Sequence, residues 1–208
     1  FTPGNYSSVQ TFSVTAESND FDSNSDPLAV PLSLSIASFD DTYDAMTFSD
    51  LSVDIAEDDS ADISVSAASL TIAESSTPNT DTFTLALVTR PTSMVTVAVS
   101  VGDASVAATS TASVMFTGVN FAAPATVTVT GVDNAVDEAT DATTSVSFAV
   151  TSDDGAYHAH AISAVAVELT DEDVSGFSLS ATSGEAGENG ETVTFTVQLT
   201  TQPLGPVT

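Results

Sequence analysis

Apolar and small polar residues alternate through the middle of this chain, in runs at Phe83, Leu85, Leu87; Val95, Val97, Val99, Val101; Val127, Val129; Val146, Phe148, Val150; and Val165, Val167, Leu169. A period of two places every apolar side chain of a run on one face of a strand. With the segments 63–72 and 113–116, the pattern predicts seven strands between residues 60 and 173. Turn-rich breaks at 75–81, 90–93, 102–105, 118–124 and 152–155 separate them. Seven short alternating strands in this length predict an all-β, Ig-like sandwich. The nearest approach to a helical period, at 135–142, reads as a loop.

The pattern also recurs. Tyr43 and Tyr157 are 114 apart, and the same offset lays Leu51 on Val165, Val53 on Val167, Ile55 on Leu169, and Glu57, Asp58, Asp59 on Asp171, Glu172, Asp173. It also lays Ile63-Ser64 on Phe177-Ser178. Upstream, Phe1-Thr2 match Phe116-Thr117 and residues 11–15 match 126–130 at offset 115. A one-residue deletion within 22–30 restores 114, so that Leu32, Leu34 and Ile36 meet Val146, Phe148 and Val150. Downstream, Phe195, Val197, Leu199, Pro203 and Val207 match Phe83, Leu85, Leu87, Pro91 and Val95 at offset 112. Such self-similarity marks a tandem array. The expected organisation is the C-terminal half of one repeat (1–59), a complete repeat (60–173) and the first strands of the next (174–208), strung into an elongated array. Neither partial repeat has enough strands to bury its own sheet, so each needs further chain or a neighbouring copy.

Charge narrows the partners. Of 208 residues, 29 are acidic and Arg90 is the only base, for a net charge of -28. Such a chain repels phosphate backbones and anionic lipid, which argues against nucleic-acid and membrane contact, and it attracts cations. There is no cysteine, hence neither a disulfide framework nor a thiolate metal site. Two histidines and no lysine leave little with which to build a nucleophile and its base, and a narrow sandwich gives paired acids no substrate cleft. The expectation is a protein that is not an enzyme.

The segment 64–69 leading to Glu74, the Phe83–Leu87 run ending at Arg90-Pro91, residues 125–132 followed by Asp133-Asn134 and Asp137-Glu138, and Tyr157 running to Asp171-Glu172-Asp173 together resemble the Calx-beta family of extracellular Ig-like repeats. In that family, acids at one end of the sandwich bind Ca²⁺ near the junction with the next domain. The resemblance implies Ca²⁺ ligands at Glu74, Asp103, Asp133, Asp137, Glu138, Asp171, Glu172 and Asp173, and the 114 offset adds Glu57, Asp58 and Asp59. Several carboxylates converging from separate loops suit an ion that takes six to eight hard oxygens. One departure stands out, since Asn134 occupies a position where the family commonly has a second Asp.

Other features read as structural. His158 and His160 fall on one side of a strand, a spacing that can hold a transition metal, but Asp44 and Met46 replace them in the earlier repeat. Tyr157 is expected to plug the core or to make a corner hydrogen bond. Arg90 reads as turn-exposed. Asn5-Tyr6-Ser7 is an N-glycosylation sequon on a predicted loop. The functional expectation is an extracellular, cell-surface repeat of a filament, hair or stalk, with Ca²⁺ stiffening its junctions and each repeat adding on the order of 40 Å. Its partners would be neighbouring repeats and other copies of the same protein. The alternative is an adhesin or carbohydrate-binding array.

Overall fold

The computed structural model describes residues 1–23, 27–74 and 78–208. The break expected at 75–81 and the deletion within 22–30 therefore lie partly outside the described residues. The chain divides into two units, Phe1–Ser60 and Ala61–Thr208, which are taken separately.

In the first unit, β1 (Leu28–Leu32) pairs antiparallel with β2 (Leu51–Ile55), and a single turn of helix, α1 (Asp41–Asp44), lies between them. Asp40 caps that turn through the amide of Thr42. The alternation expected to continue as strand through Leu34 and Ile36, and the strand expected at 11–15, are not strands here. A strand forms only against a partner that takes its amides and covers its apolar face, and no described residue of this unit is buried.

The second unit carries the core. Its strands are β3 (Ile63–Val65), β4 (Ser69–Ala73), β5 (Thr80–Leu87), β6 (Val95–Val101), β7 (Ala107–Thr109), β8 (Ser113–Phe116), β9 (Ala125–Gly131), β10 (Ala142–Ser152) and β11 (Val165–Thr170), followed by β12 (Phe177–Leu179) and β13 (Val197–Leu199). One sheet runs β4-β11-β10-β6-β8 and the facing sheet β3-β5-β9-β7. The expected all-β class holds, and the sandwich has nine strands where seven were expected. The segment 63–72 is two strands, because the chain changes sheets at 66–68. Ser66 both donates its amide to Thr84 O (3.0 Å) and accepts from Thr84 N (2.8 Å), which ends β3 on β5, and β4 then pairs parallel with β11. The ninth strand, β7, is three residues long and too short to register as an alternation.

Inward-facing residues are those of the alternation. Leu85, Val95, Val97, Val127, Val129, Val146 and Val165 are fully buried, and Phe83 stacks edge-on against Phe148 at 5.7 Å. Every buried hydrophobic side chain among the described residues lies between Ile63 and Leu169.

The repeat offsets reappear as pairing registers. Leu28↔Ile55 through Leu32↔Leu51 become Ala142↔Leu169 through Val146↔Val165 on adding 114. Ile63↔Leu87 and Val65↔Leu85 become Phe177↔Leu199 and Leu179↔Val197 on adding 114 and 112. Even the turn at Asn5, where Thr2 N and Oγ1 donate to Asn5 Oδ1, matches Thr117 and Asn120. Asn5 thus has a turn-holding task within its sequon.

Candidate metal centre

At the end of the core, the amide of Glu74 donates to Thr170 O at 3.1 Å. This continues the β4-β11 ladder one residue and delivers the Glu74 carboxylate to the tip of the sandwich, where the residue is 3 % exposed. Gly131 ends β9 in a tight space. A Cβ there would collide with Leu169 Cδ1, and Asn79 ties both polar atoms of the Gly131 backbone.

The loop after β9 then folds over Glu74. Asn134 donates its amide to Glu74 Oε1 and its side-chain nitrogen to Glu138 Oε1 at 2.9 Å, while its own oxygen takes the Val136 amide. The Glu138 amide donates to Asp171 Oδ2 (2.7 Å), and the Asp173 amide to Asp171 Oδ1 (3.0 Å). One carboxylate oxygen from each of Glu74, Glu138 and Asp171 lies within 4.8 Å of the others. That span fits Ca²⁺, whose ligand oxygens sit about 2.4 Å from the ion and so at most about 4.8 Å from one another.

The electrostatics are those of a cup of like charge. Burial, then the charges of Glu138, Asp171 and Asp133, push the Glu74 carboxyl above its usual range, against the Asn134 amide that pulls it down. Asp173 is raised by burial and by Asp171, Asp133, Glu138 and Asp137. Asp137 is held low by Ser175, through its side chain first and then its amide, which donates at 2.7 Å. That bond, with Gln202 N to Ala135 O at 2.6 Å, ties the chain beyond the sandwich back to the acidic loop.

A second cluster has the same construction. Glu57 accepts the amides of Ser23 (3.0 Å) and Asp59 (3.3 Å), as Asp171 accepts those of Glu138 and Asp173 one repeat later. Glu57, Asp58 and Asp59 offer oxygens within 4.8 Å of one another. Among the described residues, Asp59 Oδ2 is buried without a hydrogen-bond partner, and burial together with Asp58, Glu57, Asp20 and Asp22 raises its carboxyl.

Of the expected ligands, then, Glu74, Glu138 and Asp171 converge, Asp133, Asp137 and Asp173 border them, and Glu172 is exposed. Asp103 does not join the group. Its Oδ1 accepts both the amide (2.8 Å) and hydroxyl (2.6 Å) of Ser105, closing its own turn and holding its carboxyl low. Two residues that residue-type reasoning passed over matter here. Asn134, marked only as a departure, is the clamp that binds Glu74 to Glu138, and Asp141 receives the Asp171 amide at 3.3 Å. The Asn134 turn had a signal in the repeat, since Asn19 Oδ1 takes the Phe21 amide in the same way.

The opposite end of the sandwich is closed by structural contacts. Tyr157, 1 % exposed, donates its hydroxyl to Thr89 O (2.7 Å) and accepts from Thr89 N (3.1 Å). It is both the plug and the corner bond expected of it. Buried Asp154, unmarked by the alternation, takes the amide and hydroxyl of Thr92 and the amide of Ala156. Arg90 packs over Gly118 at this end. The two histidines turn to separate partners, His158 Nδ1 to Ser152 O and His160 Nε2 to Asp62, so they do not form a metal pair.

No family model and no curated relative matches the chain, so the Calx-beta resemblance rests on the residues quoted for it. Among solved structures, the chain is similar to the periplasmic chaperone SfaE (TM-score 0.43, 8 % identity, 53 % of this chain and 58 % of that one). It is also similar to the E. coli chaperone DraB (0.39, 9 %, 56 % and 58 %) and to domains 4 and 5 of the S-layer protein SbsC (0.35, 15 %, 70 % and 65 %). The match thus spans less than two thirds of each of these chains. No helix among the described residues is long and apolar enough to cross a membrane.

Proposed function

We propose that this chain is a structural segment of an extracellular tandem array of Calx-beta-like sandwiches, part of a surface filament, hair or stalk, in which Ca²⁺ bound at each acidic junction stiffens the link to the next repeat. The observation that carries the reading is the buried Glu74 carboxylate facing Glu138 and Asp171 at Ca²⁺-sized separation. Three like charges so placed repel unless a cation lies between them. The second cluster, whose Asp59 Oδ2 is buried with no hydrogen-bond partner among the described residues, extends the same need to the preceding junction. Because the Ser175 amide hangs from Asp137, ordering the acidic loop also orders the chain that follows it. The reading is non-enzymatic: it uses the acids as ligands, with no substrate.

An adhesin or sugar-binding array would favour exposed aromatic rings. Phe1, Tyr6 and Tyr43 are exposed, but they correspond to Phe116, Phe121 and Tyr157 of the complete repeat, so an incomplete core accounts for them.

The test is thermal unfolding with Ca²⁺ or with chelator. At free Ca²⁺ about a hundredfold above Kd, the central sandwich should melt roughly 5–15 °C higher. Glu74→Gln should abolish that response and, in chelator, melt no lower than the parent chain. Superimposable melting curves with and without chelator would remove the ion from the account.

A further inference from the structure

The loop between β9 and β10 is bonded on both sides. Towards the sandwich, Asn134 donates its backbone amide to Glu74 Oε1 and its side-chain nitrogen to Glu138 Oε1 at 2.9 Å, and the Glu138 amide donates to Asp171 Oδ2 at 2.7 Å. Towards the chain that follows, Asp137 Oδ2 accepts the Ser175 amide at 2.7 Å and Ala135 O accepts the Gln202 amide at 2.6 Å. Residues 134–138 therefore join the tip of the sandwich to what lies beyond it.

The Asn134 amide has one orientation that satisfies its neighbours. Its oxygen takes the Val136 amide at 2.7 Å, which turns its nitrogen to Glu138. An ionised carboxylate accepts hydrogen bonds and donates none. Asn134→Asp would thus keep the bond from Val136 and lose the bond to Glu138, setting two carboxylates against each other where an amide now meets one. Asparagine does here what neither an acid nor an apolar residue does: it ties together two of the three converging carboxylates without adding a charge. The earlier repeat keeps the residue and its turn at offset 115, Asn19 Oδ1 accepting the Phe21 amide at 2.7 Å.

We infer that Asn134 is a positioning residue, a latch that holds the acidic loop over Glu74 when no ion is bound and, by staying neutral, keeps Ca²⁺ affinity below what a fourth converging carboxylate would give. A carboxylate has about four lone-pair sites, so the single amide that Asn134 places on each of Glu74 and Glu138 leaves both able to ligate. The latch sets the resting course of the loop, and the ion adds to it. Because Ca²⁺ sites are tuned by the charge count of their ligands, asparagine at this position trades affinity for order in the ion-free state. Through Ser175 and Gln202 that order passes to the chain beyond. The affinity half of this inference rests on the Ca²⁺ reading above, whereas the latch consists of bonds that need no ion.

The test compares the parent chain with Asn134→Asp, Asn134→Ala, and Asn134→Asp combined with Glu138→Gln, which exchanges amide and carboxylate at unchanged net charge. Each is read by thermal unfolding in chelator, by amide exchange at Ser175 and Gln202, and by calorimetric titration with Ca²⁺ alone, Glu74→Gln giving the heat from the rest of the chain. In chelator, both single substitutions should melt roughly 3–6 °C lower and exchange those two amides at least about tenfold faster. The combined substitution should recover both. With Ca²⁺ the single substitutions should part, Asn134→Asp binding at least about tenfold tighter than the parent and Asn134→Ala more weakly. Asn134 is exposed and outside the core, so a retained cooperative transition of the sandwich reports that every variant is folded. Asn134→Asp melting like the parent in chelator, a combined substitution that recovers nothing, or a loss of equal size with and without Ca²⁺ at unchanged affinity would each overturn the proposal. A parent whose melting and titration ignore Ca²⁺, while Asn134→Asp still loosens the loop and Glu138→Gln restores it, would sink the ion reading together with the affinity half and leave the latch standing.

Discussion

Tyr43 and Tyr157 sit on the same backbone turn with the same capping bonds, yet one is 56 % exposed and the other 1 %. Their difference lies wholly in what is packed above them: Tyr157 has Thr89, and Tyr43 has a groove. Tyr157→Phe should therefore cost about 1–3 kcal/mol in chemical denaturation, because it strands the buried Thr89 backbone. Tyr43→Phe should stay within about 0.5 kcal/mol in the dilute chain. The acids give a second residue-scale outcome. A carboxyl raised in the folded state, as at Glu74, Asp173 and Asp59, is more readily protonated folded than unfolded. Its contribution is most favourable at low pH and is lost as pH rises through the ordinary carboxylate range towards the raised value. Asp137, Asp103 and Glu57, all lowered, run oppositely and lose their contribution as pH falls. In chelator, the net melting temperature should be flatter with pH than in Ca²⁺. With Ca²⁺ present it should climb as the carboxylates ionise, because protons and the ion compete for the same oxygens.

The strands show how far local pattern carries. Every alternation in the complete repeat became a strand with its apolar positions inward, since period two matches the pleat and both sheets had a face to cover. The same alternation at 11–15 and at Leu34 and Ile36 did not, because a strand's amides need a neighbour. What the alternation could not mark was the sheet switch at 66–68, made by two hydrogen bonds of Ser66, or β7, whose three residues hold less than two periods. Gly131 belongs to this scale as well. It ends β9 where Leu169 and Ile72 leave no space for a side chain, so Gly131→Ala should destabilise the sandwich by about 1–3 kcal/mol through overpacking, read as a lower denaturation midpoint with unchanged m-value.

Across the whole chain, stability is concentrated between Ile63 and Leu169. Segments without buried side chains open with little free-energy cost and are cut first. Limited proteolysis of the dilute chain should therefore trim residues 1–60 and 174–208 and leave a fragment near residues 61–173, identified by mass spectrometry. Rapid loss of that fragment alongside the flanks would contradict a core confined to it.

The sequence by itself determined the class of fold, the repeat offsets and the inward face of each long strand, because backbone pairing and apolar burial impose a period that composition cannot disguise. It also placed runs of three acids at 57–59 and 171–173, 114 residues apart. Which of those acids meet was decided only in three dimensions. Glu74, Glu138 and Asp171 come from positions as far as 97 residues apart and converge because β4 lies parallel to β11 and Asn134 folds the intervening loop over both. Asp103, of the same residue type and near the same end, spends its oxygen on Ser105. Carboxylates look alike along a chain, and only the folded structure shows which of them meet and which close their own turns.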